Sequence, residues 1–104
     1  MEDAKREELL SDLKDRLRIT WDNEKTNREL KRIINNAEVY MNHLLGAELD
    51  YTVPGIMNIL YMEYCCYVWN NCPNEFEEAY QKDILRAQAI CEVDAYEDEN
   101  AGIE

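Results

Sequence analysis

The chain has 104 residues, 46% hydrophobic and 33% charged, with three Gly, two Pro, four Cys, one His and a formal net charge of -12. That length holds one hydrophobic core, leaves no room for a second domain, and needs neither disulfides nor metal to fold. So large an acidic excess repels phosphate, which excludes a protein that reads DNA or RNA through Lys and Arg and disfavours docking on an anionic membrane.

The charge is unevenly placed. Residues 1–32 hold nine basic and nine acidic side chains, whereas residues 33–104 hold two basic and fourteen acidic ones, so the whole excess lies in the second part. The longest apolar stretch runs only from Ile56 to Trp69 and contains Asn58 and Glu63, short of the roughly 20 apolar residues that cross a bilayer. No membrane span is expected. The first eight residues, Met1-Glu2-Asp3-Ala4-Lys5-Arg6-Glu7-Glu8, lack the basic and apolar regions of a secretory signal, so synthesis in a cytoplasm with reduced thiols is expected. Cys65 and Cys66 are adjacent, no Cys-x-x-Cys pair occurs, and the one His is remote from them at position 43. That spacing argues against zinc and for cysteines packed as small apolar side chains between helices.

The first predicted element is an amphipathic helix over about Asp3 to Arg18, with Leu9, Leu10, Leu13 and Leu17 on one stripe and charged residues elsewhere. Glu2 with Arg6 and Asp12 with Arg16, acid four residues before base, are expected to add a few tenths of a kcal/mol each. Ile19 to Lys25 reads as a loop, with Asp22 and Asn23 as turn formers. Trp21 in that loop is either a lid over the core, the favoured reading, or an aromatic anchor for another subunit.

Thr26-Asn27-Arg28-Glu29 has the form of a capping box, so a second helix is predicted from there. Leu30, Ile33, Ile34, Ala37, Tyr40, Met41, Leu44 and Leu45 keep its helical rhythm, and Gly46 supplies its left-handed end. His43 falls in the last turn, where a cation favours the exposed carbonyls, and without a partner it reads as a capping or surface residue. Ala47 to Val53 is a predicted loop. Pro54 suits the first turn of a third helix reaching about Asn71. That helix is apolar nearly all round, with Met57, Leu60, Tyr61, Tyr64, Cys65 and Val68 on one side and Met62, Cys66 and Trp69 on another. It must be covered on more than one face, either as the centre of a monomeric bundle or by a neighbouring chain.

After the break at Asn71-Cys72-Pro73-Asn74, a fourth helix is predicted, with Glu75, Glu77 and Glu78 near its positive end and Phe76, Ala79, Tyr80, Ile84, Ala87, Ile90 and Cys91 on its buried side. It is expected to fade near Val93. Residues 94–104 contain five acids and no base and read as a flexible acidic tail. The expected fold is therefore all-α: a small bundle of four helices over residues 1–93, then the tail. No phosphate loop, nucleophile motif, His-x-x-x-His pair or calcium loop is visible, so neither a catalytic residue nor a metal or cofactor site is expected.

The order of features carries a further signal. Leu13-Lys14-Asp15-Arg16-Leu17-Arg18-Ile19, an acid-containing loop, Glu29-Leu30, Ile33-Ile34, Ala37, Tyr40-Met41, Leu45-Gly46 and a very apolar helix ending at Trp69-Asn70 together resemble the head-to-tail connector, or adaptor, proteins of long-tailed bacteriophages. The resemblance covers about residues 9–90. It departs from the family where an Arg often follows the aromatic-Asn pair, since this chain has Asn71-Cys72-Pro73 there.

The resemblance implies a non-enzymatic ring protein of the virion neck, made in the bacterial host cytoplasm and commonly assembled as twelve copies under the portal protein. Such a ring extends the DNA channel, lets DNA pass without specific binding, and offers its far side to a stopper or tail-completion protein. On that reading Trp21, Tyr67 and Trp69 are expected at subunit contacts, and Glu92, Asp94, Tyr96, Glu97 and Asp98 at the portal. An acidic lumen would avoid adhesive phosphate contacts. The alternative from the same charge is an acidic DNA-mimic inhibitor of a nucleic-acid-binding protein. The adaptor is favoured because the acids gather in the tail and the bases of the first helix interrupt any continuous acidic face.

Overall fold

A computed structural model describes residues 2–101, with side chains over residues 2–95. The elements are α1 (Asp3–Leu17), α2 (Glu24–Leu45), α3 (Ile56–Trp69), a 3-10 turn (Pro73–Glu75), α4 (Phe76–Ala79) and α5 (Gln81–Ala101). The chain is all-helical among the described residues, with five α-helices where four were expected.

The extra element arises because the predicted fourth helix divides at Tyr80. Its backbone leaves the helical region at φ -115° and ψ 23°. The ladder nevertheless persists on both sides, with Tyr80 N–H donating to Phe76 O at 3.0 Å and Ile84 N–H to Tyr80 O at 2.9 Å. A side-chain anchor accounts for the kink. The Tyr80 ring packs on Tyr67 and Phe76, and its hydroxyl donates to Glu63 Oε2 on α3 at 2.9 Å.

Helix ends follow local chemistry, with two departures from expectation. α2 begins at Glu24 and not at the Thr26 box, because the Asn23 side chain accepts from the N–H groups of Lys25 at 2.9 Å and Thr26 at 3.2 Å. Thr26 is thus inside the first turn. α3 begins at Ile56, after Pro54, because Gly55 at φ 141° holds a conformation that ends one path and starts another. α1, α2 and α3 close on the left-handed residues Arg18, Gly46 and Asn71. At each, the following N–H reaches back five residues, as Ile19 to Lys14, Ala47 to Asn42 and Cys72 to Tyr67.

α1 and α2 form an antiparallel hairpin, pinned across by Lys31 and Glu7 at 3.7 Å. α3 packs on α1, α2, α4 and α5. It is the central helix, with Leu60, Tyr61, Met62 and Cys65 buried, most of its other apolar residues half-buried and Ile59 exposed. The core joins Leu9 and Leu13 of α1, Leu30, Ile34, Ala37 and Met41 of α2, Leu60, Tyr61, Met62 and Cys65 of α3, Phe76 of α4 and Ala87 of α5. Of the buried side predicted for residues 76–91, Phe76, Ile84, Ala87 and Cys91 are buried, Tyr80 is half-buried, and Ala79 and Ile90 are exposed.

The charge pairs differ as well. Arg6 pairs with Asp3 and not with Glu2, and Arg16 leaves Asp12 to meet Glu63 of α3 at 2.5 Å. A partner already ordered by α3 and by Tyr80 serves Arg16 better than a solvated neighbour on its own turn. Finally, α5 does not fade at Val93 but continues to Ala101. No Gly or Pro interrupts it before Gly102.

Candidate functional site

The residues singled out by sequence lie in different settings. Trp21 is 54% exposed, so it is not a lid; buried Ile19 closes that end of the core in its place. A left-handed Arg18 turns the chain so that Ile19 points inward and Trp21, two residues on, is left in solvent.

Tyr67 and Trp69 are half-buried against the core. Tyr67 belongs to an aromatic cluster within the chain, edge-on to Phe76 at 6.0 Å and to Tyr80 at 5.9 Å, while Tyr64 stacks on Tyr40 at 4.1 Å. Its ring is therefore committed to holding α4 and the kink. Glu92 and Asp94 are exposed on α5. Tyr96, Glu97 and Asp98 lie on the same helix, outside the residues whose side chains are described.

At the end of the bundle opposite Trp21, the α2–α3 loop and α5 enclose a groove that sequence reasoning missed. Its volume is about 560 Å³, and it is lined by Leu49, Val53, Pro54, Ile56, Met57, Ile90, Cys91 and Ala95, with Glu48, Asp50 and Asp94 among its polar residues. Of its large apolar lining side chains, Val53 and Ile90 are exposed.

The loop that forms one wall is rigidly held. Asn42 Oδ1 accepts from Leu49 N–H at 3.2 Å and from the Tyr51 hydroxyl at 2.8 Å, and Asn58 Nδ2 donates to Tyr51 O at 2.7 Å. Tyr51 itself is fully buried and stacks on Tyr61 at 4.6 Å. The Tyr61 hydroxyl donates to Ile34 O at 2.6 Å, which ties the stacked pair to α2. Asp50 closes the turn by accepting from Thr52 N–H at 3.0 Å and Thr52 Oγ1 at 2.6 Å. The wall thus exists before any partner arrives.

Electrostatics separate the groups around the groove. Lys5 of α1 reaches Asp50 at 2.7 Å. This contact, with the Thr52 donors, holds the Asp50 carboxyl down at about 2, and Asp50 in turn raises the Lys5 ammonium. Glu48 and Asp94 form no ion pair among the described residues. Burial pushes the thiols of Cys65, Cys66 and Cys91 up, Cys65 most of all. A raised thiol is a poor nucleophile. Burial, then the Glu63 hydrogen bond, pushes the Tyr80 hydroxyl up to about 12. Among the described residues, no group of three or more His, Cys, Asp or Glu side chains could hold a metal, and no helix is long and apolar enough to cross a membrane.

The arrangement places an exposed tryptophan at one end, an apolar groove with carboxylates at the other, and an acidic stretch of α5 along the groove. The groove was hard to find by sequence because it joins a loop to a distant helix. The available signals were Val53-Pro54-Gly55, an apolar run within a turn, and Ile90, which sits off the buried stripe. No protein-family model matches the chain, and no curated protein and no solved structure matches it either.

Proposed function

We propose that this protein is a head-to-tail connector of a phage neck, assembling as a ring beneath the portal protein and joining the capsid to the stopper or tail. The observation that carries the reading is α5. Among its described side chains Cys91 is the last that is buried, Glu92 to Ala95 being exposed, and the helix itself runs on to Ala101. Glu92, Asp94, Glu97, Asp98 and Glu99 lie on this final part with no base among them. A helix end that concentrates acid without a base, with every described side chain after Cys91 exposed, is suited to docking on a basic partner surface, here the portal.

The charge partition supports the same reading. The α1–α2 hairpin is nearly balanced, whereas the acid excess belongs to the later helices, so acidic surface can face a DNA channel while the hairpin faces a neighbour.

The test is the mass of the purified protein by native mass spectrometry, alone and with the portal protein encoded beside it. A closed assembly of about a dozen copies, alone or on the portal, is expected. A monomer that ignores the portal and binds a nuclease or a repressor would overturn the reading in favour of a DNA mimic.

A further inference from the structure

We infer that Trp21 of one copy inserts into the groove between the α2–α3 loop and α5 of the next copy, giving a head-to-tail contact. The inference rests on the ring reading above, to which it supplies the contact.

Three observations lead to it. First, Trp21 is the most exposed aromatic side chain of the chain's described part and stands at the tip of the hairpin. Large exposed aromatics at a turn are typical anchors of interfaces. Second, the groove has an apolar lining and a volume of about 560 Å³, room for an indole and part of its flanking backbone.

Third, the charges left over on the two sides are opposite. Beside Trp21, Asp22 lies 4.0 Å from Lys14 and Glu24 lies 3.8 Å from Arg28, which leaves the exposed cations Arg18 and Lys25 without an ion pair among the described residues. At the groove, Asp50 is taken by Lys5, which leaves Glu48 and Asp94. An aromatic flanked by two uncommitted cations thus matches an apolar groove flanked by two uncommitted carboxylates.

The groove cannot be filled by the Trp21 of its own chain. Lys5 touches the groove loop, whereas Trp21 follows the other end of α1. The helix between Lys5 and Leu17 sets them about 18 Å apart at 1.5 Å per residue. A second copy must therefore supply the indole. Two different patches then meet, so the contact is heterologous, and it propagates until rotation closes it into a ring.

The experiment uses two full-length variants, Trp21→Ala and the double variant Glu48→Lys with Asp94→Lys, followed by native mass spectrometry and sedimentation, alone and with the portal. All three positions are exposed, and circular dichroism checks that the variants fold. Each variant is expected to weaken self-association by at least about 30-fold, the loss typical of a hot-spot aromatic. Mixed in equal amounts, the two variants are expected to form a dimer and nothing larger, because one retains only the groove and the other only the indole.

Wild type that assembles alongside variants that assemble equally well would overturn this contact and leave the ring reading intact. Loss with Trp21→Ala alone, the groove variant assembling normally, would place the indole on another surface and also overturn it. Wild type that stays monomeric with and without the portal would overturn both.

Discussion

Removing the Asn42 side chain is the sharpest test of how the groove wall is held. In Asn42→Ala, two hydrogen bonds to Oδ1 disappear, from Leu49 N–H at 3.2 Å and from the Tyr51 hydroxyl at 2.8 Å. Each is worth about 1 kcal/mol net, and the fully buried Tyr51 hydroxyl, stranded without a partner, adds a desolvation penalty of about 1–2 kcal/mol. The expected total is about 3–4 kcal/mol. Tyr51→Phe takes away the donor but strands nothing of comparable cost, since Asn42 Oδ1 keeps Leu49, so about 1 kcal/mol is expected. In the double variant the stranded hydroxyl no longer exists. Asn42→Ala should then cost only about 1 kcal/mol on the Tyr51→Phe background, which gives a coupling of about 2–3 kcal/mol. Urea unfolding of the four proteins, followed by circular dichroism with unchanged slope, measures the cycle. Additivity within about 0.5 kcal/mol would refute the argument that Tyr51 depends on Asn42.

Phe76→Ala should destabilise by about 3–5 kcal/mol, because a fully buried ring touching Tyr64, Tyr67 and Tyr80 leaves a cavity that three other rings cannot fill without losing their own packing; thermal unfolding measures it. Asp50 should titrate at about 2 by carboxyl NMR. A carboxyl lowered by folding stabilises above its unfolded value near 4, and this stability is lost as pH falls towards 2, a loss that Lys5→Met should reduce. Tyr80, raised to about 12 with burial as the first cause, gives the opposite sign: its contribution is complete below pH 10 and is lost between about pH 10 and 12, so Tyr80→Phe should flatten that part of the alkaline stability profile. With a thiol reagent in native buffer, Cys72 and Cys66 should react before Cys91, and Cys65 last, because Cys65 is wholly buried and its thiol is held most firmly protonated.

Sequence made legible whatever depends on periodicity and chain-local chemistry. The buried face of α2, from Leu30 to Leu45, and its stop at Gly46 follow from spacing and from the one residue type that takes φ 74° without strain. The central place of α3 follows from an apolar surface too wide for one neighbour. Where two local signals competed, pattern alone chose wrongly: the Asn23 carbonyl and the Thr26 box both offered a cap, and the one nearer the turn at Asp22 was used. Three features were beyond local reading because they depend on partners distant in sequence. The kink at Tyr80 needs Glu63, seventeen residues earlier, and the burial of Tyr51 needs Asn42 and the stacked Tyr61. The groove needs α5 to pass the α2–α3 loop. Trp21 failed as a lid for a related reason, since the left-handed turn at Arg18 gave the core Ile19 instead.

The burial of α3 also limits how this chain can assemble. An apolar helix with an unmatched face invites a neighbour, and on sequence alone Tyr67 and Trp69 are natural contacts for one. In the folded chain, α1, α2, α4 and α5 all pack on α3, leaving Ile59 exposed, and the Tyr67 ring is held edge-on by Phe76 and Tyr80. Withdrawing Tyr67 to serve another subunit would release α4 and the kink, a cost within the monomer that a contact elsewhere avoids. Exposed apolar side chains stand at both ends, Trp21 at the hairpin tip and Val53 and Ile90 at the groove, besides Val39, Ile59, Leu85 and Val93 along the helices. Contacts made from opposite ends are heterologous by construction, and α5 lines one of them with Ile90, Cys91, Asp94 and Ala95. Self-association and docking through the acidic helix would therefore meet at Asp94, which lines the groove and lies on α5. Asp94→Lys alone should accordingly weaken both self-association and portal binding, whereas Trp21→Ala should weaken the first and leave the affinity of an isolated subunit for the portal unchanged. Surface plasmon resonance at subunit concentrations too low for assembly separates the two, and equal loss of portal affinity in both variants would show that the two contacts are one.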